Sequence, residues 1–303
     1  QSYNTAIGSD SGKAITTGIS NTLIGASAGD ALQDCDRNVA VGFYALTTDQ
    51  LGQYSTAVGY GALQTQNYAT ATDTYNTAVG YSAGLAVTTA VNNTLIGAKA
   101  GFALTTGAQN VVAGTFALGA DDLGSYNTAL GYNTLAALNY ATATESWNTA
   151  VGGRAGQSMT TGISNTIIGG LAGDALQDAD DNTVMGKGAL STDTFGSMST
   201  AIGRNALTTQ NHTTAAETHN TAVGYNAGLE VLTGVQNTLL GSKCGDALTT
   251  GDENIVIGYD SDTSANSATN QIVMGRGVTG NANTSFCFGE DSNDSAIAFG
   301  ATS

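Results

Sequence analysis

Asn76-Thr77-Ala78-Val79-Gly80 recurs along the chain with small variations, and its spacing decides the fold. The closing glycine returns at Gly8, Gly25, Gly42, Gly59, Gly80, Gly97, Gly114, Gly131, Gly152, Gly169, Gly186, Gly203, Gly224, Gly241, Gly258 and Gly275. The steps are 17, 17, 17 and 21, three times over, then 17, 17, 17, so a 72-residue period sits on the shorter one. A short repeat of fixed length marks stacked supersecondary units, none of which buries its apolar face alone. The expected fold is all-β: a parallel β-solenoid, or β-roll, of 17-residue coils with a 72-residue super-repeat. Sixteen coils at ~4.8 Å each give a rod of roughly 80 Å.

Each coil reads the same way outward from that glycine. Four residues before it stands Asn in 13 of 16 coils, with Ser55, Ser199 and Gln271 in the others. Amides at strand spacing can form a hydrogen-bonded ladder. Thr usually follows, a β-branched strand former. Two apolar residues come next, such as Ala78-Val79 and Leu95-Ile96. Neighbouring strand residues point to opposite faces, so the strand is expected to be buried on both. One face fills the coil. No 3.6-residue periodicity supplies a helix for the other, so further copies of the chain are the expected cover.

Past the glycine, the third position is small, as in Ala28, Ala45, Ala83 and Ala100. The fourth alternates in pairs between Gly (Gly12, Gly29, Gly84, Gly101) and Leu (Leu46, Leu63, Leu118, Leu135). Where it is Gly, a larger residue follows three positions on, as in Leu32, Val87, Leu104, Met159 and Leu176. This compensation predicts a filled interior. Thr-Thr-Gly turns close several coils, for example Thr16-Thr17-Gly18. The pattern divides the chain into a solenoid over 1–275 and a taper or cap over 276–303, where the steps shorten at Gly289 and Gly300 and Phe286, Phe288 and Phe299 appear.

Composition narrows the function. The chain has 41 Gly, no Pro and a net charge of -16 from 8 basic and 24 acidic residues. Lack of Pro suits strands paired on both sides. Nucleic acid is not an expected partner, because phosphate binding needs clustered Lys and Arg. No apolar run is long enough to span a bilayer, so membrane insertion is not expected. The segment after Gln1 does not read as a secretion signal, and the chain reads as a fragment or processed form. Cys35, Cys244 and Cys287 fall at three different coil positions, which predicts buried free thiols rather than a disulfide framework or zinc site. Six of the eight basic residues (Lys99, Arg154, Lys187, Arg204, Lys243 and Arg276) follow a marker glycine by one or two places and are expected on an exposed edge.

The blocks Asn76–Gly80, Asn148–Gly152 and Asn220–Gly224 resemble the Asn-Ser-Val-Ala-Ile-Gly repeats of trimeric autotransporter adhesin heads. The longer Asn220-Thr221-Ala222-Val223-Gly224-Tyr225-Asn226-Ala227-Gly228, with its Leu232-Thr233-Gly234 turn, is similar to repeat arrays of phage tail-fibre proteins. The resemblance covers about Asn4 to Gly275. It implies a left-handed parallel β-roll, a homotrimer, and a virion (tail-fibre) or extracellular, cell-surface location. The adhesin-head coil is shorter, so this roll is expected to be wider. The implied function is structural and adhesive: a shaft or head that attaches a virus to its host through a cell-surface glycan or protein receptor. A bacterial adhesin head is the alternative, and an ice-binding solenoid a third reading, suggested by the stacked Thr.

The three 21-residue coils carry the candidate ligand contacts. Each places an aromatic residue or His at two points and one carboxylate between them: Tyr68, Asp73 and Tyr75; Tyr140, Glu145 and Trp147; His212, Glu217 and His219. Aromatic faces beside an acid acceptor suit sugar rings; packing over neighbouring coils is the competing reading. Glycosidases need two carboxylates ~5–9.5 Å apart, whereas successive long coils lie ~19 Å apart at strand spacing. A pair across a subunit boundary stays open, with a polysaccharide depolymerase as the enzyme alternative; no catalytic residue, metal ligand or cofactor is assigned, and the chain is read as a non-enzyme. The acidic clusters Asp34/Asp36, Asp178/Asp180/Asp181 and Asp252/Glu253 lack a calcium-loop pattern and read as solvated turns.

Overall fold

The computed structural model describes residues 2–291 and 293–298. It shows a parallel β-solenoid of about seventeen turns, with no helix among the described residues. The chain forms two compact units, residues 1–153 and 154–303.

In the first unit each coil contributes one three-residue strand, from Thr5–Ile7 through Thr77–Val79 and Thr94–Ile96 to Thr149–Val151. Successive strands pair in parallel and in register, so Ala78 lies on Leu95 and Leu95 on Val112. The second unit repeats this from Thr166–Ile168 to Ile255–Ile257. There Ile167 lies on Val184 and Leu239 on Val256. Strands then lengthen to Ile272–Arg276 and Ser285–Glu290, which still pair in parallel. Asn293–Ala298 turns back and pairs antiparallel with Ser285–Glu290. Phe299 and Gly300, which the sequence reading placed in the taper, lie outside the described residues.

The marker glycine has a double cause. Gly25 sits at φ +135, and a Cβ there would lie 2.6 Å from the Gly42 carbonyl oxygen of the next coil. The coil backbones close on one another at this point, and no side chain fits between them.

The expected compensation of the core is present. The middle strand residues (Leu23, Ala57, Ala78, Leu95) and the small residues after the glycine (Ala28, Ala45, Ala83) are fully buried. A Cβ on Gly84 would meet the Leu95, Leu63 and Val87 side chains, which shows what the absent side chain leaves room for. Where the strand supplies only Ala, as at Ala57, Leu63 fills the space.

The Asn ladder is more than amide stacking. Asn93 Oδ1 accepts the Asn110 N–H of the next coil at 2.9 Å. Its Nδ2 donates to the Gly107 carbonyl of its own coil at 3.1 Å, fourteen residues on. Asn237 does the same to Asn254 N–H and the Gly251 carbonyl. These Asn residues thus tie a coil across and to its neighbour, satisfying backbone groups that burial would otherwise strand.

Corners of the coil hold left-handed backbone. The residue before the ladder position has positive φ (Ser20 61, Arg37 57, Tyr54 61, Asn92 60), as does the second residue after the marker glycine (Ser27 53, Tyr44 59, Lys99 56). A third such corner is the alternating Gly/Leu position, where even Leu46 and Leu63 adopt φ 51 and 48.

The outward strand face is not covered within either unit. Thr is half-buried there, and the last strand residue is half-buried or exposed: Ile24, Ile96, Met185 and Met274 stand among the exposed large apolar residues.

Candidate functional site

The extra residues of each 21-residue coil build a second, two-residue parallel pairing beside the main sheet. Gly52–Gln53 pairs with Thr72–Asp73 and Gly124–Ser125 with Thr144–Glu145. In the second unit Gly196–Ser197 pairs with Ala216–Glu217. This places Asp73, Glu145 and Glu217 in the exposed position of a short strand.

The nine residues singled out from the sequence divide into an outer and an inner set. Tyr75 and Trp147 are exposed, as are the three carboxylates and His219. Their rings meet a partner the sequence reading missed, the residue at the same corner one coil earlier. Tyr75 stacks on Tyr54 with centroids 5.2 Å apart, and Trp147 on Tyr126 at 4.0 Å. Arg37 extends the first stack, its guanidinium 5.3 Å from the Tyr54 ring and its Nη1 donating to the Tyr54 hydroxyl at 2.8 Å. Tyr75 Oη lies 3.3 Å from Asp73 Oδ2, and His219 Nε2 3.6 Å from Glu217 Oε2. The neighbouring negative charge of Asp73 raises the Tyr75 pKa. The first-unit rings therefore stack on one another and offer edges and polar tips outward.

Tyr68, Tyr140 and His212 point inward. The tyrosines are 5% exposed and His212 is 9% exposed, so none of them lies on the outer surface. Tyr68 donates its hydroxyl hydrogen to the Ala90 carbonyl, and Asn148 Nδ2 lies 3.2 Å from Tyr140 Oη. They cover a buried aspartate that opens each long-coil site: Asp49, Asp121 and Asp193, all fully buried. Each carboxylate accepts the N–H of the glycine three residues on, at 3.0 Å for Gly52, 3.0 Å for Gly124 and 3.2 Å for Gly196. The Asp193 Oδ1 also accepts the His212 N–H at 2.9 Å.

The rest of each pocket sets how its carboxylate titrates. Around Asp49, Gln66 Nε2 donates to Asp49 Oδ2 at 2.6 Å and to Ser55 Oγ at 2.8 Å, while its Oε1 accepts Asn76 Nδ2 at 3.0 Å. Burial raises the Asp49 pKa, and the Gln66 amide opposes it. Gln210 makes the same three contacts to Asp193, Ser199 and Asn220, at 2.5, 3.0 and 2.9 Å. The Asp193 carboxyl is held below its ordinary range despite burial, by the His212 imidazole beside it and by hydrogen bonds from the Gln210 amide and the His212 backbone N–H. In the middle coil Leu138 replaces the glutamine and Asn127 the serine. Asp121 Oδ2 and Asn127 Nδ2 are then left without a hydrogen-bond partner, and burial pushes Asp121 up to about 6. The Asp-x-x-Gly spacing at 49–52, 121–124 and 193–196 was the sequence signal for these sites.

The acidic clusters bridge coils. Asp36 Oδ1 accepts the Ile19 N–H, Asp180 Oδ1 the Ile163 N–H and Asp252 Oδ1 the Val235 N–H, at 2.8, 2.8 and 2.9 Å. Thr17 and Thr161 donate to Asp34 and Asp178. Among the described residues no group of three or more His, Cys, Asp and Glu side chains is placed to hold a metal ion. The three thiols are free and buried, and burial raises Cys35 and Cys244 to about 12. An open depression of about 310 Å³ lies beside the third long coil, with Met198, Ala215 and Ala216 in its wall and Asp180, Asp181 and Glu217 at its polar positions. No helix among the described residues is long and apolar enough to cross a membrane. The chain matches no protein-family model, no curated protein and no solved structure.

Proposed function

We propose that this chain is a non-enzymatic, structural and adhesive fibre protein: a homotrimeric shaft or head of a viral tail fibre that attaches the particle to a host surface. The observation that carries the reading is the outward strand face. Ile24, Ile96, Met185 and Met274 are exposed along it, and Phe43, Tyr60, Tyr81, Tyr132, Tyr225 and Tyr259 are exposed just past the marker glycine. Within each unit such exposed apolar residues on one strand face mark an interaction surface. A repetitive chain covers it most simply with its own copies about a symmetry axis, the 72-residue super-repeat serving as the unit that stacks. A bacterial adhesin head would use the same architecture.

Host contact falls to the outer set of long-coil residues: Asp73, Tyr75, Glu145, Trp147, Glu217 and His219. Ring edges, hydroxyls and carboxylates together suit the polar rim of a glycan or a protein receptor. A virion or extracellular location follows from this reading. Fully buried Asp49, Asp121 and Asp193 are closed to any substrate, which supports the non-enzymatic reading.

The outward Thr column gives the ice-binding reading one specific support, since Thr56, Thr77 and Thr94 lie on an uncovered face in register. Light scattering on the purified chain separates the two. A mass of three chains, with binding to host-surface glycans that Trp147→Ala weakens, supports the fibre. A monomer that shows thermal hysteresis in dilute solution sinks it.

A further inference from the structure

The third long coil differs from the other two in one inward side chain. Tyr68 reaches the Ala90 carbonyl with its hydroxyl, 22 residues on. His212 stands at the same place and is shorter. The carbonyl of Gly234, the counterpart of Ala90, keeps the contact from Asn220 Nδ2 at 2.7 Å, as Ala90 has from Asn76, and lacks the hydroxyl. Neither ring nitrogen of His212 has a hydrogen-bond partner, although both are buried. Nδ1 lies 3.7 Å from Asp193 Oδ2, a carboxylate that is fully buried and already fixed by Gln210 and two backbone N–H groups.

A neutral imidazole left this way strands a buried donor and a buried acceptor. A protonated imidazole carries two donors. One has Asp193 within a small rotation, and the other faces the Thr233 backbone. The charged group facing the ring from the preceding coil is Asp193. The following coil presents the Thr233 carbonyl, and the side chains sharing the Asp193 pocket, Gln210 and Asn220, are neutral amides.

We propose that His212 and Asp193 form an acid-engaged clasp: on taking up a proton, the imidazole donates to the Asp193 carboxylate and ties the third long coil to the coil before it, and on losing the proton it releases that tie. The direction of each titration agrees. The Asp193 carboxylate beside the ring raises the His212 pKa above 6.5 against the opposing effect of burial, and Asp193 is lowered below 3.8. The histidine contribution is complete below pH 6.5 and is lost as pH rises through the folded value. The aspartate contribution is lost only as pH falls below about 3.8. The clasp is therefore closed between these limits and opens as pH rises through the folded His212 value.

The chain has only two histidines, so the test is direct. Side-chain NMR titration of the full chain gives one signal for His212 and one for exposed His219. Amide exchange across residues 193–220 is followed at pH 5.5 and 7.5, corrected for intrinsic rates. The clasp predicts a His212 midpoint above 6.5 and several-fold slower exchange at pH 5.5. His212→Tyr, which installs the side chain of the other two long coils, should abolish that difference. Asp193→Asn should lower the His212 midpoint. A His212 midpoint at or below 6.5 overturns the proposal, as does an unchanged pH effect in the tyrosine variant.

Discussion

The Asp121 and Asp193 sites are built on the same backbone and behave in opposite ways. Both carboxylates are fully buried and both hold a glycine N–H three residues on. Asp193 has a glutamine amide and an imidazole beside it and titrates low; Asp121 has Leu138, an idle Oδ2, and titrates up to about 6. Burial alone does not fix the charge of a buried carboxylate. Asp49, with the same glutamine amide and no imidazole, is still raised, so the His212 ring beside Asp193 tips the balance.

The largest expected effect tests what all coils share before asking how they differ. Gly25→Ala puts a Cβ 2.6 Å from the Gly42 oxygen at a φ of +135. It should destabilise the first unit by about 4 kcal/mol or more, read by urea unfolding. A near-neutral result would mean the coils are not held at this spacing.

Next, Gln66→Leu gives the first long coil the leucine of the middle one. It removes the donor to Asp49 Oδ2 and Ser55 Oγ and the acceptor for Asn76. A loss of about 3 kcal/mol is expected. The reverse pair, Leu138→Gln with Asn127→Ser, should stabilise the first unit. If both changes prove neutral, the comparison above fails.

The pH profile sharpens it further. Asp121 has a folded pKa raised from 3.8 to about 6, so the native state holds the proton more tightly than the unfolded chain. Stability of the first unit should fall as pH rises from about 4 to 6, and stay lowered above that, by about 2 to 3 kcal/mol. Asp121→Asn should flatten this window and raise the melting temperature at pH 8. A profile identical to the parent's would assign the titration to another group.

The smallest effect concerns the outer stack. Tyr126→Ala removes the ring 4.0 Å from Trp147, the only tryptophan. A loss of about 1 kcal/mol and a red-shifted emission are expected. Unaltered emission would place the ring against something else.

Coil length, parallel stacking and the filled interior were legible in the sequence, because each is a translation-invariant pattern; the free thiols were legible because their three scattered positions form no ladder. The inner aromatic set was not. Tyr68 and Tyr75 sit in the same insertion with similar composition, yet one points in and the other out. What separates them is the buried Asp49 nineteen residues before Tyr68, whose role becomes visible only when two coils are stacked. The acidic clusters were read as solvent-facing for the same reason. Their partners, such as the Ile19 N–H for Asp36, lie a full coil away.

The left-handed corners carry a consequence for how the chain assembles. Ser20, Ser27 and Arg37 hold backbone that costs an ordinary L-residue about 1 kcal/mol each, and most coils carry two or three such corners. A first coil bears that strain with no neighbour to stack on, whereas every coil added to an existing one gains its strand and Asn bonds at once. The polypeptide is thus slow to start and quick to extend, like a crystal limited by its nucleus. Replacing Ser20 or Asn92 by Gly should speed refolding by lowering that first step.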